Sequence, residues 1–316
     1  MRSAGDVFVG VDVSGATLDV AVRPSGKVWQ VANSELGIRK LVAQLRKLQP
    51  TLVVMEPTST LHYALANALT AAELPISIRN PFHVRSFARA QGTYAKTDVI
   101  DARLIAHFAE VMRPPARPMP DAQVQALQGL IVRRRQLSEL IVAQSNQLRT
   151  AHADAAADIG DLVTDLRRRQ KAVERLIASR IASHPRWQPL NALLQSVPGV
   201  GPVVAMTLIA WLSELGIASK KEIAALVGLA PLNRDSGTMR GKRTIWAGRV
   251  HVRTALYLGA NVARQHNPLI RAFYVKLRAA GKPHRLAVIA CARRLLVMLN
   301  AMVHDQTAWR GQLLAA

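Results

Sequence analysis

Cysteine, aromatic residues and long apolar runs are all scarce in this sequence, and each shortage excludes a class of protein. The single cysteine, Cys291, permits neither an intrachain disulfide nor a cysteine-based zinc site. Aromatic residues make up 4% of the chain, which argues against the stacking platform of single-strand binders. We find no apolar run that reaches the roughly 18 residues of a membrane span, and the N-terminus lacks the apolar core of a signal peptide. We therefore expect a cytoplasmic protein without a membrane partner.

Acidic residues are also few. The chain has 20 Asp and Glu against 42 Lys and Arg, which gives a formal net charge of +22. The imbalance is strongest from Gly201 onward, where 17 basic residues stand against four acids. A field of this sign attracts polyanions, and nucleic acid is the commonest one in the cytoplasm. Charge alone leaves open a merely soluble basic protein or a binder of membrane surfaces.

The first part of the chain has the pattern of an α/β domain. Residues 7–31 alternate short β-rich runs with turns, which predicts two or three antiparallel strands. A helix capped by Ser34 follows, then a strand in "TLVVMEP", a helix over about residues 60–72 and a strand in "PISIRN". The order β-β-β-α-β-α-β-α indicates an α/β domain with a mixed sheet over residues 1–115. It should end in the proline-rich linker at 112–120.

The middle of the chain is predicted to be a helical arm. Proline is absent from 121 to 184, and apolar residues recur there at helical spacing. This pattern predicts a helical hairpin or coiled-coil arm over 121–185. Two arginine triplets, 133–135 and 167–169, lie within it. A solvated helix face and a phosphate contact explain these triplets about equally well.

A mainly α-helical C-terminal domain is expected over residues 190–316. The stretch "SVPGVGPVVA" at 196–205 is similar to the turn of a helix-hairpin-helix, in which backbone N–H groups of the following helix can hold a phosphate. Plain helix connectors also contain Pro-Gly turns, so both interpretations stay open. A glycine-rich basic loop follows and leads into another helix.

Four carboxylates stand out by their positions. Asp12 lies at the end of the first strand or within it, and Glu56 directly follows the buried strand "LVVM". Asp98 and Asp101 open the helix that follows the last strand. Strand ends of an open sheet gather at one edge, where these side chains would repel one another unless a divalent cation neutralised them. Mg²⁺ suits oxygen ligands, and two such ions can stabilise both oxygens of a phosphodiester displacement.

Each acid also has a structural explanation when it is taken singly. Asp98 could be a first-turn acid favoured by the helix dipole, and Asp101 could pair with Arg103. Asp12 is harder to explain in this way because aspartate is depleted in strands. Asp19, on the second strand, is expected to alternate outward and to stay outside the site. The four positions at corresponding ends together favour a metal site.

Six segments, in order along nearly the whole chain, resemble the DEDD insertion-sequence transposases of the "IS one-ten" family. They are "FVGVDVSGATLDVAV", "VVMEPT", "RNPFHVRSFARAQGTYAKTDVIDARLIAHFAE", "VPGVGPVVA", "GLAPLNRDSGTMRGKRTIWAGRVHVRTALYLGA" and "NPLIRAFYVKLRAAGKPHRLAVIACARRLLVMLN". The run "AKTDVIDA" and the "GLAP" block are specific in combination. Members of this family are recombinases guided by a bridge RNA.

The resemblance implies a RuvC-like N-terminal domain of the RNase H fold and a C-terminal transposase domain. The family's Mg²⁺-binding set matches Asp12, Glu56, Asp98 and Asp101, and its nucleophile matches Ser236. The resemblance also implies homo-oligomers, as dimers or tetramers, whose active sites combine parts of different subunits. The expected partners are donor DNA, target DNA and a noncoding bridge RNA, in a bacterial cytoplasm and at the nucleoid when DNA is bound. One departure is Ala247, where the family frequently has glycine.

Ser236 lies among basic residues that can brace a scissile phosphate. They are Arg240, Lys242, Arg243, Arg249 and Arg253. The expected reaction is attack of the serine on DNA to form a phosphoserine link, which the hydroxyl of a new strand later reverses. Without the resemblance, a Ser-Gly pair indicates a turn. Two alternatives therefore stay open: a RuvC-like metal-dependent junction nuclease, and a non-catalytic nucleic-acid-binding protein.

Overall fold

The chain forms two compact units in the computed structural model, residues Met1–Pro120 and Asp121–Ala316. The structure describes residues 5–58, 60–92, 98–233, 235–237, 239–241 and 243–311, without the side chains of 98–100, 235 and 240. The boundary between the units falls at the end of the proline-rich linker. The further division of the second unit into an arm and a C-terminal domain stays a prediction.

The first unit is built on a five-stranded sheet with the order β3-β2-β1-β4-β5. The strands are β1 (Phe8–Val13), β2 (Thr17–Arg23), β3 (Val28–Ala32), β4 (Leu52–Met55) and β5 (Ile76–Ile78). The first three pair antiparallel, whereas β4 is parallel to β1 and β5 is parallel to β4. The predicted α/β domain with a mixed sheet is confirmed.

Helices cover both faces of this sheet in the described part of the unit. They are α1 (Glu35–Leu48), α2 (His62–Ala71), α3 (Pro81–Ala90) and α4 (Asp98–Met112). The side chains of Val9 and Val11 in β1 pack with α1 and α2, and that of Phe8 packs with α3 and α4. The sequence predicts one helix after β5, and the structure has two. The first of them starts at Pro81, where the Asn80 side chain accepts from the Phe82 N–H at 2.9 Å.

The second unit is mainly α-helical, as predicted. It begins with two long helices, α5 (Ala122–Leu148) and α6 (Ala153–Ser183). They lie antiparallel, because Arg134 contacts Glu174 at 2.8 Å while Gln170, one turn earlier in α6, donates to Ser138 at 2.6 Å. Coiled-coil packing of this pair stays a prediction.

One hydrophobic core joins the rest of the second unit. Its helices are α7 (Trp187–Gln195), α8 (Pro202–Trp211), α9 (Lys220–Val227), α10 (Val250–His266), α11 (Pro268–Ala279) and α12 (His284–His304). By length and composition, α12 could cross a membrane, which corrects the expectation that no segment is apolar enough. Arg293 and Arg294 interrupt its apolar run and so conceal it in the sequence. More than half of its apolar 18-residue stretch, 56%, is buried, so packing accounts for its apolar character.

The turn between α7 and α8 contains the "VPGVGP" motif. Gly199 adopts a φ of +100°, and a Cβ built there would lie 2.5 Å from the Cβ of Ala263 in α10. A side chain at this position would collide with α10. The glycine therefore permits both the backbone conformation and the close approach of that helix.

Candidate functional site

Two of the predicted acids lie side by side at the end of the sheet. The register of the parallel pair β1 and β4 runs from Phe8 opposite Leu52 to Val11 opposite Met55. Continuing this register by one residue pairs Asp12 with Glu56. Asp12 is the last residue but one of β1, and Glu56 directly follows β4. Both acids therefore stand at the carboxyl ends of neighbouring parallel strands, the place where open sheets bind ligands.

The start of α4 approaches the same end of the sheet. A Cβ at Gly10 would lie 2.2 Å from the backbone nitrogen of Ala106 and 2.4 Å from the carbonyl oxygen of Ala102, so α4 presses directly on β1. Phe8, earlier in β1, packs with the later residue Phe108. The helix thus runs opposite to β1, and its first turn, with Asp98 and Asp101, lies towards the end that carries Asp12.

Alternation along the strands places Asp12 on the α4 face. Val9, Val11 and Val13 pack against the opposite helices, so Gly10 and Asp12 face α4. On β4, Leu52 and Val54 share that face, and the same alternation assigns Glu56 to it. The backbone therefore brings Asp12, Glu56 and the first turn of α4 to one edge and one face.

The expectation that Asp19 faces outward is wrong, because its side chain is buried on the face that α4 covers. It is directly opposite Asp12 in the antiparallel pair β1 and β2, and side chains of such a pair share a face. It is 3% exposed, and its Oδ1 accepts a hydrogen bond from the Gln30 side chain at 3.0 Å. Sequence analysis missed this acid because its alternation was taken to lead to solvent, whereas α4 covers that face.

The carboxylate side chains that the structure describes do not by themselves converge into a metal centre. Asp12, Glu56 and Asp101 are each partly exposed, and the side chain of Asp98 is outside the described atoms. Among the side chains that the structure describes, no group of three or more His, Cys, Asp or Glu residues is arranged to hold a metal ion. The backbone thus brings the predicted residues to one edge of the sheet, but the carboxylate groups that the structure describes do not surround a common point.

Ser236 lies at the tip of a short hairpin in the second unit. Strands β6 (Asp235–Ser236) and β7 (Met239–Arg240) pair antiparallel, with Ser236 opposite Met239. Gly237, in the turn, has a φ of +56°, and space around its Cβ position is open within 4 Å. An isolated bridge between Leu232 and Thr244 extends the hairpin towards its base. Ser236 is exposed, so its hydroxyl is accessible to a large substrate.

The basic residues chosen from the sequence fall into two groups. Arg243 is exposed beside the hairpin, and the backbone of Arg240 lies in β7 opposite Asp235. The side chain of Arg240 is outside the described atoms, and Lys242 is outside the described residues. These three residues stay candidates for phosphate contact.

Arg249 is instead half-buried and paired within the second unit. Its guanidinium makes a two-armed ion pair with Glu214 at 2.5 and 2.6 Å and donates to the carbonyl oxygen of Trp211 at 2.8 Å. This pairing lowers the pKa of the Glu214 carboxyl, mainly through its hydrogen bond with Arg249. The contacts attach the start of α10 to the end of α8, so the described role of Arg249 is positional.

Arg253 is also engaged at the base of the hairpin. Its Nη1 donates to the carbonyl oxygen of Ala247 and lies 3.4 and 3.5 Å from those of Val227 and Gly228 at the end of α9. Ala247 itself has a φ of +57°, a conformation that favours glycine. This geometry explains physically why glycine suits the position, where the sequence departs from the pattern it resembles.

Comparison with known proteins defines the class as that of transposases. One family model, described as "Transposase", matches residues 9–154, the range that holds the four acids. A second, described as "Transposase IS116/IS110/IS902 family", matches residues 191–275, the range that holds the hairpin. The two matches together cover well over half of the chain.

The chain belongs to the IS110 family of transposases, the IS one-ten family that its motifs resemble. It is 24% identical to the "Pilin gene-inverting protein" of Moraxella bovis over 94% of this chain and 96% of the relative. An insertion element IS110 protein of Streptomyces coelicolor is 29% identical over 48% of this chain and 37% of its own length. An insertion element IS900 protein of Mycobacterium paratuberculosis is 36% identical over 37% of this chain and 30% of its own length.

Proposed function

We propose that this chain moves its own insertion sequence by RNA-guided DNA strand exchange, with Ser236 as the nucleophile. The observation that carries the proposal is the exposed hydroxyl at a hairpin tip, in a segment that matches a transposase family. A nucleophile must reach a phosphorus atom inside a bulky duplex or junction. An exposed tip with glycine beside it provides that access.

The serine step conserves phosphodiester bonds. Ser236 Oγ loses its proton and forms a bond to a DNA phosphorus, while the bond from that phosphorus to a deoxyribose oxygen breaks and the leaving oxygen takes up a proton. The hydroxyl of the incoming strand later displaces the serine by the reverse reaction. No water is consumed. Arg240, Lys242 and Arg243 would brace the nonbridging oxygens as negative charge develops.

The carboxylate edge fits Mg²⁺ in the chemistry of its donors and in its backbone placement. Asp12, Glu56, Asp98 and Asp101 would hold the ion, and the buried Asp19 adds negative charge on the same face. Bound Mg²⁺ would supply charge stabilisation at the oxygens of a phosphodiester. The antiparallel strands β1 to β3, followed by parallel strands β4 and β5, support a RuvC-like RNase H fold.

The proposed partners are a bridge RNA, donor DNA and target DNA. The net charge of +22 supports polyanionic partners, and the relative named for inverting a pilin gene supports a DNA substrate. We further propose that the protein acts as a dimer or tetramer with composite active sites, and that α5 and α6 form a coiled-coil arm. The proposed location is the bacterial cytoplasm, at the nucleoid when DNA is bound.

A covalent protein–DNA adduct is the decisive test. The protein is incubated with Mg²⁺, its cognate RNA and end-labelled donor DNA, and products are separated under denaturing conditions. We expect a labelled band that Ser236→Ala abolishes. The matched control Ser183→Ala removes an exposed hydroxyl at the end of α6 and should retain the band.

The same assay separates the two alternative functions. Cleavage that persists in Ser236→Ala but is lost in Asp101→Ala would identify a junction nuclease. If neither substitution changes strand cleavage above background, the chain is a binding protein. For the RNA-guided part, altered RNA loops should redirect insertion, and unchanged targeting with an altered RNA would contradict it.

A further inference from the structure

A large groove lies in the second unit between α6, α7 and the start of α8. Its volume is about 1130 Å³, above the roughly 300–1,000 Å³ of a typical small-molecule pocket. Ile177 and Ile181 of α6 and Met206 of α8 contribute apolar surface to its floor. The groove includes neither Ser236 nor any of the acids at the sheet edge, so the reaction proposed above does not account for it.

A row of cations borders the groove on α6. Arg167, Lys171 and Arg175 line it at intervals of four residues, which places them on one helix face about 6 Å apart along the axis. All three are exposed. Within the part of the chain that the structure describes, none of the three forms an ion pair. Their positive field is therefore uncompensated.

Two other cations of the groove are already paired. Arg134 contacts Glu174 at 2.8 Å, and Arg168 is paired with Asp165. Glu174 is the one carboxylate among the lining residues. The contrast assigns the attraction for an external anion to the row Arg167, Lys171 and Arg175.

The opposite wall carries neutral hydrogen-bonding groups. Gln188, Asn191 and Gln195 of α7 line it, and Gln195 donates to Asn191 at 2.7 Å. No lining residue is aromatic, so the groove offers no platform for base stacking. A cation row, amide side chains and an apolar floor together suit phosphates and sugars, which form the sequence-independent part of a polynucleotide.

We propose that this groove binds the sugar–phosphate backbone of a polynucleotide strand away from the site of strand exchange. Phosphates would contact the cation row, and sugars would lie on the apolar floor. Pro202, the first residue of α8, lines the groove as well. Arg167 and Arg168 of the arginine triplet and Pro202 of the "VPGVGP" turn therefore line the same groove. The inference rests on the proposed function for the class of its ligand.

Charge removal in the full-length protein tests the groove. The triple variant Arg167→Gln, Lys171→Gln, Arg175→Gln keeps good helix formers on α6. Its binding to fluorescein-labelled single-stranded RNA, single-stranded DNA and duplex DNA is measured by anisotropy at several salt concentrations. We expect a loss of affinity of at least ten-fold. The loss of three phosphate contacts should also make the slope of log affinity against log salt shallower, by about 2 for the single-stranded probes and about 3 for the duplex.

The control triple Arg133→Gln, Arg149→Gln, Arg180→Gln removes the same charge from α5 and α6 outside the groove. The affinity of this control for each nucleic-acid probe should fall by less than three-fold. A loss confined to the RNA probe assigns the groove to the guide, and a loss on all three probes assigns it to any polynucleotide. Equal losses in both triples, with helix content and melting temperature unchanged, would overturn the proposal. So would retained nucleic-acid affinity with lost binding of an acidic amphipathic peptide, which would identify a protein-docking site.

A site-directed crosslink tests the location while two of the three cations of the row stay in place. The native Cys291 is buried, and burial raises the pKa of its thiol to about 11, so it should stay unlabelled. Lys171→Cys with a thiol-linked photocrosslinker should capture labelled RNA or DNA, and Arg180→Cys should not. Equal capture at both positions would contradict the groove. Neither assay requires strand cleavage, so a failure of the serine chemistry would leave both the binding and the crosslinking result unchanged.

Discussion

The carboxylate edge and the serine hairpin are held in place by different forces. At the edge, strand register and a helix pressed onto Gly10 set the positions of Asp12 and Glu56. The hairpin has strands of two residues, and polar contacts of Arg249 and Arg253 hold the chain that follows it. The positions of the carboxylates at the sheet edge should therefore depend mainly on apolar packing. The hairpin should respond to pH and to single charge changes.

Gly10→Ala should have the largest effect, because it breaks the packing that positions the edge. The new Cβ would lie 2.2 Å from the backbone of Ala106, so α4 must move. We expect the free energy of unfolding to fall by about 3 kcal/mol, the upper end for overpacking. Urea unfolding followed by circular dichroism measures it. Gly15→Ala adds the same methyl group where space is open within 4 Å and should change stability by less than about 0.5 kcal/mol. Similar losses in the two variants would contradict a packing role.

Arg249→Met should have the next largest effect, because it breaks the ion pair that attaches the start of α10 to the segment after α8. The side chains of Arg249 and Glu214 are 29% and 28% exposed. An ion pair of this exposure is intermediate between a fully exposed and a fully buried salt bridge. We therefore expect the substitution to lower the free energy of unfolding by about 2 kcal/mol. A double-mutant cycle with Glu214→Gln isolates the pair. Adduct formation by Ser236 should fall as well, while groove binding stays unchanged. A coupling energy near zero would contradict a stabilising role for the ion pair between Arg249 and Glu214.

The same pair predicts a pH dependence in the acid range. Arg249 lowers the folded-state pKa of Glu214 below its ordinary value of 4.5. The ionised Glu214 therefore contributes fully to the free energy of unfolding above its unfolded-state pKa. This contribution is lost as the pH falls through the lower folded-state pKa. The stability difference between wild type and Glu214→Gln should shrink between pH 6 and pH 3. A difference that stays constant over this range would exclude the linkage.

Much of the first unit could be predicted from the sequence because its signals are local. Period-two runs mark the strands, and the position of Glu56 directly after a buried strand indicates a sheet edge. The burial of Asp19 could not be predicted, since alternation assigns a residue to a face of the sheet without saying whether a helix covers that face. The extra helix α3 was missed although Asn80 and Pro81 form a recognisable helix start.

The hairpin was harder to predict because its contacts join distant segments. Arg249 and Arg253 resemble phosphate-binding residues beside Ser236, yet in the structure Arg249 pairs with Glu214 after α8 and Arg253 contacts backbone carbonyls near the end of α9. No local pattern shows that Glu214, 35 residues earlier, neutralises Arg249. The nucleophile itself was inferred from family resemblance, since a serine before a glycine indicates a turn. Burial and long-range pairing therefore distinguish basic residues that remain candidates for phosphate contact from basic residues that are paired within the protein.

Ala247→Gly should change the free energy of unfolding by a smaller amount, and it tests backbone strain near the hairpin. Ala247 holds a φ of +57°, which costs an L-residue roughly 1–2 kcal/mol relative to glycine, although glycine loses more entropy on folding. We expect a net gain of about 1 kcal/mol in urea unfolding. Ala280→Gly, at a φ of −78° after α11, makes the same change without strain and should be neutral or destabilising. A gain in both variants would argue against strain at position 247.

Asp19→Asn should have the smallest effect, and it examines the carboxylate edge directly. Asp19 and Asp12 are directly opposite on neighbouring strands, where like charges destabilise a sheet by roughly 0.2–1 kcal/mol. The amide oxygen of the introduced asparagine could still accept the hydrogen bond from Gln30. Without divalent cations, urea unfolding should therefore show a gain of about 0.5 kcal/mol. Added Mg²⁺ should stabilise the wild type more than the variant and so narrow the difference. Asp158→Asn, an exposed change on α6, should show neither effect. If Mg²⁺ stabilises Asp19→Asn and wild type equally, Asp19 contributes nothing to cation binding at this edge.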